Sequence, residues 1–155
     1  MMLGGLVITT AASAEAPNLS VVVIANPSIP NNDLELGGLK MMFLKKKRHW
    51  RGGSNIHVIH ASAGSQARLA FLEDVLGMSE DQEKDYWDDQ RIRGGLREPV
   101  EFGDNVAAVS RIRDSVSYIT QQAFAQGVKM SAKDSSVELF RFPSGTVKII
   151  NIIPD

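Results

Sequence analysis

Residues 56–76 read IHVIHASAGSQARLAFLEDVL, an apolar run that passes through a turn of small residues into an amphipathic run. Val58 and Ile59 belong to a short β-type segment, and residues 61–65 contain nothing bulky. The apolar residues that follow recur at the three- and four-residue spacing of a helix: Leu69, Phe71, Leu72, Val75 and Leu76. The stretch therefore predicts a strand, a tight turn and a helix, and we expect the other elements to be arranged around this joint.

The turn at residues 61–65 has two interpretations. The start of a helix exposes backbone N–H groups that have no intrahelical acceptor, and it carries partial positive charge. Ser62, Gly64 and Ser65 can therefore hold an anion. Ser62 or Ser65 can equally act as an ordinary helix cap, which is the usual role of serine at this position. The sequence of the turn leaves both interpretations open.

Strands and helices alternate along the chain, which predicts βαβ units and a three-layer α/β/α fold with a mixed sheet. A central, buried strand is expected at residues 19–25, where β-branched residues form a nearly continuous apolar run. The other expected helices are 34–43 capped by Asn32 or Asp33, 80–90 capped by Ser79, 104–113, and a short helix at 121–126. Strands are expected at 55–60 and 116–119, and an irregular arm at 91–99. A C-terminal β-hairpin of 137–142 with 147–153 is expected to form an edge or an extension of the sheet.

Composition limits the class of protein. A chain of 155 residues with 43% hydrophobic residues fits one globular domain, predicted at 15–155, and its net charge of −1 gives no basic field to attract nucleic acid. The absence of cysteine excludes disulfides and thiolate ligands. At the N-terminus an uncharged apolar run precedes Ala12-Ser13-Ala14, a pattern typical of signal peptidase sites. Residues 1–14 are therefore predicted to be a signal peptide, and the mature protein is predicted to begin at Glu15.

No residue pattern indicates a catalytic site, a metal or a cofactor. His57 and His60 are three apart on a strand, so they point to opposite faces and cannot share a metal from that strand. Neither serine of the turn lies in a Gly-x-Ser-x-Gly elbow. The basic run Lys45–Arg51 is interpreted as a solvated helix end that can also touch phosphates or membrane headgroups. The arm contributes guanidinium forks, which suit planar anions, at Arg91, Arg93 and Arg97.

Three motifs together resemble the substrate-binding proteins of phosphate ABC transporters, specifically the small single-lobe members with the type II periplasmic-binding-protein-like fold. Residues 39–50, LKMMFLKKKRHW, are similar to (I/L)xxIFLGKxxxW, with Lys45 where the family usually has glycine. Residues 64–77, GSQARLAFLEDVLG, resemble GSxxRxxFxxxVLG. Residues 114–130, DSVSYITQQAFAQGVKM, resemble GAIGYVxxxxAxxGVKV. The resemblance extends over roughly residues 21–130 and rests on the order and spacing of the motifs.

The resemblance implies a periplasmic, non-enzymatic protein that binds phosphate or another small anion and has an ABC transporter as its partner. The residues implied as ligands are Ser62, Gly64, Ser65 and Arg68. In full-length receptors the corresponding turn supplies an arginine, an aspartate and a Ser-Gly-Thr run, whereas this chain has Ala61, Ala63 and residues 65–67, SQA, at those positions. Tight binding would therefore need an arginine from elsewhere, either Arg68 or one of the arm.

A single lobe also leaves its ligand open to water, so cover has to come from a partner protein or from a second copy in a homodimer. The alternative function is an envelope protein-interaction module that kept the fold and lost the ligand site.

Overall fold

The computed structural model describes residues 19–155, so the predicted signal peptide at 1–14 and the predicted start at Glu15 lie outside the described residues. Within that range the strands are β1 Val21–Ala25, β2 Asp33–Glu35, β3 His57–Ala61, β4 Val100–Phe102, β5 Ser115–Thr120, β6 Val128–Met130, β7 Glu138–Phe142 and β8 Gly145–Ile153. The helices are α1 Leu36–Phe43, α2 Gln66–Phe71, α3 Glu80–Gly94, α4 Asn105–Arg111 and α5 Gln121–Phe124. Helix α2 continues directly into a π-helical segment, Leu72–Leu76.

The strands form one mixed sheet in the order β4-β3-β5-β1-β8-β7-β6, and β2 pairs with the C-terminal end of β8. Strand β3 runs parallel to both β4 and β5, whereas β1 runs antiparallel to β5 and β8. The predicted mixed sheet and the predicted central place of β1 are confirmed. The apolar run of β1 fits this place because its alternate side chains enter the cores on both faces of the sheet.

Helices cover both faces of the sheet and make the predicted three layers. Helices α1 and α2 pack with Val23 in one core, and α4 packs with Ile24 in the other. Trp50 and Tyr118, two positions of the matched motifs, are buried in the first core at 3% and 0% exposure. No helix in the described part of the chain is long and apolar enough to cross a membrane.

The predicted helix over residues 34–43 is wrong in its first turn. Residues Asp33–Glu35 form β2, which pairs in parallel with Asn151–Ile153, and α1 begins at Leu36 without a side-chain cap. The expected caps therefore lie outside the helix. Pairing with β8 buries Leu34 to 5% exposure, and two glycines in α1 weaken the competing first turn of a longer helix.

Helix α3 is longer than predicted and includes the start of the arginine-rich arm. Its predicted cap is confirmed as a capping box, in which Ser79 Oγ accepts from Gln82 N and Gln82 Oε1 accepts from Ser79 N. The helix continues through Arg93 to Gly94 because the arm's first two arginines pair with aspartates one turn earlier. It ends where Gly95 adopts a left-handed φ of 68°.

The predicted C-terminal hairpin is confirmed as β7 and β8, but β8 is not at an edge. It lies beside β1, with Val23 opposite Ile150, and its nine residues also pair with β2 and β7. The two ends of this strand order are β4 and β6, of three residues each. The sequence does not predict them because such short strands show no periodic pattern.

Candidate functional site

The turn between β3 and α2 has the predicted strand-turn-helix form. Ser65 is the N-cap of α2, and its hydroxyl accepts a hydrogen bond from Arg68 N at 3.2 Å. Ser65 N in turn donates to the Ser62 carbonyl at 3.1 Å. Gly64 supplies the left-handed backbone that this turn needs, with a φ of 80°. Capping is therefore confirmed for Ser65, and the Ser62 hydroxyl is left out of the cap.

Several N–H groups of the turn meet no acceptor. Within residues 19–155, the backbone N–H groups of Gly64, Gln66 and Ala67 donate no hydrogen bond. Gly64 and Gln66 are also exposed to solvent. These are the unpaired donors that the start of a helix can offer to an anion.

The turn already holds one carboxylate of the protein itself, that of Glu101 in β4. Ala63 N donates to Glu101 Oε1 at 2.9 Å, and Arg68 Nη1 lies 3.9 Å from Glu101 Oε2. The parallel pairing of β3 and β4 sets Glu101 opposite His60, close to the start of the turn. The Glu101 side chain is 46% exposed, so it can exchange with solvent. Part of the predicted anion site is therefore occupied by an internal anion.

Arg68 lies behind the turn rather than in it. Its guanidinium is buried, with Nη1 donating to the Ala61 carbonyl at 3.0 Å and Nη2 donating to Glu83 Oε1 at 2.8 Å. Glu83 belongs to α3, so this pair joins α2 to α3. Each Nη group thus already donates one hydrogen bond to the protein, whereas Nε is buried and has no partner within residues 19–155.

His60 lies in the core between two polar partners. Its Nδ1 is 2.6 Å from Tyr118 Oη, and its Nε2 is 3.3 Å from Glu83 Oε2. Tyr118 Oη also accepts from Ala61 N at 3.2 Å, so we assign its single proton to the bond with His60 Nδ1. This assignment puts the imidazole proton on Nε2, where it faces the Glu83 carboxylate.

Burial decides which members of this cluster are charged. Burial lowers the pKa of His60 by more than the nearby Glu83 carboxylate raises it, so the imidazole is neutral. It also raises the pKa of the Tyr118 phenol. Burial raises the pKa of Glu83 as well, but the adjacent His60 and the hydrogen-bonded Arg68 outweigh it and the net pKa is lowered. The cluster therefore holds one charged pair and attaches α3 to β3, with no reactive group directed at the turn.

A cleft of about 260 Å³ lies beside the turn, between α3 and β4. Its charged lining residues are mostly acidic: Glu80, Asp81, Glu83, Glu98 and Glu101 against Arg68 and Lys84. An oxyanion that enters this cleft would meet a net negative potential, which weakens anion binding at the turn.

The structure brings together some of the predicted ligands and not others. Ser62, Gly64, Ser65 and Arg68 all lie at or directly behind one turn. Two arginines of the arm, Arg91 and Arg93, pair with aspartates of α3. Neither of them nor Arg97 lines the cleft beside the turn. A ligand role for the four turn residues stays a prediction.

The polar cluster behind the turn is not predicted from the sequence. One signal was available, since His60 follows the apolar pair Val58 and Ile59 in the buried part of the strand, and a polar residue at such a position needs a buried partner. The partners themselves left no signal. Glu83 is one of many acidic residues in α3, and Glu101 lies in a strand of three residues.

No model of a known protein family matches the chain, and no curated protein matches it. Solved structures that share its fold include an ABC-type phosphate transport receptor from Vibrio cholerae, at 16% identity and a TM-score of 0.55, covering 86% of this chain and 46% of the receptor. PstS from Borrelia burgdorferi matches at 12% identity and a TM-score of 0.56, covering 86% and 47%. A Clostridium perfringens protein assigned to the phosphate ABC transporter substrate-binding proteins, with bound phosphate, matches at 17% identity and a TM-score of 0.50, covering 85% and 55%.

The chain therefore has the fold of phosphate ABC transporter substrate-binding proteins, as its motifs predict. It spans about half the length of the proteins that it matches, 46% and 47% of the first two, which agrees with a small single-lobe form of the fold. At sequence identities of 12–17%, the structural similarity establishes the fold alone. The ligand has to be inferred from the site.

Proposed function

We propose that this protein is exported, catalyses no reaction, and binds a small anion such as phosphate weakly at the turn formed by Ser62, Gly64 and Ser65. The observation that supports this most directly is the hydrogen bond of 2.9 Å from Ala63 N to the Glu101 carboxylate. A turn whose N–H group already binds one carboxylate has the geometry and charge to bind another oxyanion. The fold shared with phosphate transport receptors supports the same class of ligand and an ABC transporter as the partner.

We expect the affinity to be millimolar. An exposed helix N-terminus stabilises an anion by about 0.3–1 kcal/mol, and each neutral hydrogen bond adds about 1 kcal/mol. Three such bonds together with the helix N-terminus give at most about 4 kcal/mol, which is the binding free energy at a millimolar dissociation constant, so millimolar affinity is the upper limit. Arg68 contributes charge from behind the turn, because the Ala61 carbonyl and Glu83 already engage its Nη groups.

Tighter binding in the cell would require cover over the turn. The single lobe leaves Gly64 exposed, so water competes for every donor of the turn. A transporter subunit or a second copy of the chain that closes over this surface would exclude that water and strengthen the polar contacts. In a homodimer the second copy of the chain would supply this cover, so no other protein would be needed.

Calorimetric titration with phosphate and sulfate tests the proposal on wild type, Glu101→Gln and Ser65→Ala. Glu101→Gln keeps the shape of the internal competitor and removes its charge, so we expect the phosphate affinity to rise about tenfold, as the loss of one charge-assisted hydrogen bond implies. Ser65→Ala should lower the affinity, provided that its thermal midpoint shows an intact fold.

The matched control is Glu98→Gln, which removes one negative charge from the same cleft without touching the turn. An equal gain in Glu98→Gln and Glu101→Gln would indicate a general charge effect and would contradict a specific role for Glu101. No heat in any variant at millimolar anion would refute anion binding.

A second candidate is an envelope protein-interaction module that kept the fold and lost the ligand. The internal pairing of Arg68 with Glu83 favours it, because the positive group nearest the turn is neutralised inside the protein. Ala61 and Ala63 favour it too, since they cannot supply the charged ligands that the resemblance leads us to expect. The absence of anion binding in Glu101→Gln would make this module the better description.

A further inference from the structure

Two adjoining cavities form a groove at the outer edge of β3 and β4, separate from the turn. One has a volume of about 230 Å³ and a mainly apolar lining that includes Ile59, Val100, Phe102 and Ile112. The other, of about 240 Å³, is bordered by Lys47 and Arg48. Both cavities share Lys45, Ile56 and Val58, so they form one continuous feature, the Lys45 groove.

The apolar part of the groove belongs to a free sheet edge. Strand β4 pairs only with β3 among the described strands, so the backbone groups on its outer side have no strand partner. Val100 and Phe102 project to the same face of this strand, at 60% and 37% exposure. An edge with unpaired backbone groups and exposed apolar side chains is a template for an added strand.

The basic part of the groove centres on Lys45. Its backbone is left-handed, with a φ of 59°, a conformation that costs energy for a residue with a Cβ and that glycine would adopt freely. Its side chain is half-buried, and burial together with the nearby Arg48 lowers the pKa of its ammonium. Within residues 19–155 this ammonium forms no ion pair with a carboxylate. A partly desolvated cation without a counter-ion is suited to an external carboxylate.

We propose that the Lys45 groove docks an extended segment of a partner protein that carries alternating apolar residues and, at one end, carboxylates. The segment adds to the free edge of β4 as a further strand. Its apolar side chains lie against Val100 and Phe102, and its carboxylates bind Lys45 and Arg48. The groove contains no residue of the turn, so this interaction and anion binding at the turn are independent of each other.

A second copy of this chain fits the groove poorly. If β4 paired antiparallel with its own copy about Glu101, the two Glu101 carboxylates would stand opposite each other, which destabilises a strand pair. Of the other described strands with an unpaired side, β6 carries Lys129, which would bring a cation towards Lys45. Strand β2 is acidic, but its one apolar side chain, Leu34, is already buried at 5% exposure in this chain, so it cannot cover Val100 and Phe102. The charge of the groove therefore favours an acidic segment from a different protein.

Fluorescence anisotropy with labelled synthetic peptides tests the proposal. The probes are two acetylated eight-residue peptides that alternate valine and threonine, with two aspartates at the C-terminal end of one and at the N-terminal end of the other. We expect one of the two to bind, and Lys45→Gly to weaken that binding about tenfold or more. The thermal midpoint of Lys45→Gly should equal or exceed that of wild type because glycine relieves the left-handed backbone, so lost binding cannot be attributed to unfolding.

The matched control is Lys46→Gly, the same substitution at an exposed neighbour that lines neither cavity, and it should bind like wild type. A peptide that is N-methylated at every backbone amide should fail to bind, since neither of its edges can donate the hydrogen bonds of strand pairing. The proposal is overturned if neither peptide binds at millimolar concentration, if both glycine variants lose binding equally, or if the N-methylated peptide binds as well as its parent. A dimer of the protein alone that is lost in Lys45→Gly would overturn it in favour of a second copy.

Discussion

At the scale of single residues, the burial of His60 predicts that the stability of the protein depends on pH. Burial lowers its pKa in the native protein, while Tyr118, Glu83, Arg68 and Glu101 are the titratable and charged groups around it. The unfolded chain protonates this histidine below about pH 6.5, and the native protein does so only at lower pH. The contribution of neutral His60 to the free energy of unfolding is therefore complete above about pH 6.5. It is lost as the pH falls towards the native pKa of His60, by up to about 1.4 kcal/mol per pH unit.

Urea denaturation across this pH range measures the effect in wild type and in His60→Gln. The variant should show a smaller change in the free energy of unfolding between about pH 7 and pH 5. His57→Gln, at an exposed position of the same strand, is the matched control and should keep the wild-type dependence. The pKa of Glu83 is also lowered in the native protein, so protonation of Glu83 reduces stability only at more acidic pH, below its ordinary pKa of 4.5. An unchanged pH dependence in His60→Gln would contradict the assignment.

At the scale of elements, α3 is a mostly charged helix that is held by few contacts. Only Glu83 and Trp87 are buried among its fifteen residues. Glu83 pairs with Arg68 of α2 and faces His60 of β3, so one ion pair joins three elements. Because Arg68 pairs with Glu83, its guanidinium lies behind the turn and helps to hold α3 in place.

Arg68→Met should therefore reduce stability, and not only anion affinity. The substitution leaves Glu83 buried without its cationic partner, which typically costs about 3–5 kcal/mol, and the double variant Arg68→Met with Glu83→Met should recover much of that loss. Lys84→Met removes an exposed ion pair with Asp88 on the same helix and should not measurably change the urea midpoint. If Arg68→Met proved as stable as Lys84→Met, the proposed attachment of α3 would be wrong.

At the scale of the whole molecule, the proposed anion binding and the proposed export both concern an open surface of one lobe. A single lobe with about half the length of the matched receptors presents its turn and its Lys45 groove on an open surface, where partners in the envelope could cover either one.

The export proposal makes a direct prediction about the mature chain. The pattern Ala12-Ser13-Ala14 after an apolar run should direct cleavage, so the mass of the protein in a periplasmic fraction should correspond to a chain that begins at Glu15. Ala14→Asp should block cleavage, because signal peptidase requires a small residue there. Uncleaved protein beginning at Met1 in the cytoplasm of its own host would contradict export.

The sequence by itself determined the features that depend on short-range patterns. The joint at residues 56–76, the Ser79 capping box and the buried strand β1 all rest on interactions between residues a few positions apart, or on an apolar run that only a central strand can bury. The three motifs that resemble phosphate substrate-binding proteins predicted the correct fold for a related reason, since each encodes a local turn or packing unit.

The tertiary structure alone decided the features that join distant parts of the chain. Strand β2 exists because the end of β8, over a hundred residues later, offers it an edge, and that pairing overrides the local helix signal. The carboxylate in the turn comes from Glu101 because β4 pairs beside β3, and Arg68 lies behind the turn, where it pairs with Glu83 of α3. These contacts depend on which strands and helices become neighbours, and that choice is governed by burial across the whole sheet rather than by any local pattern of residues.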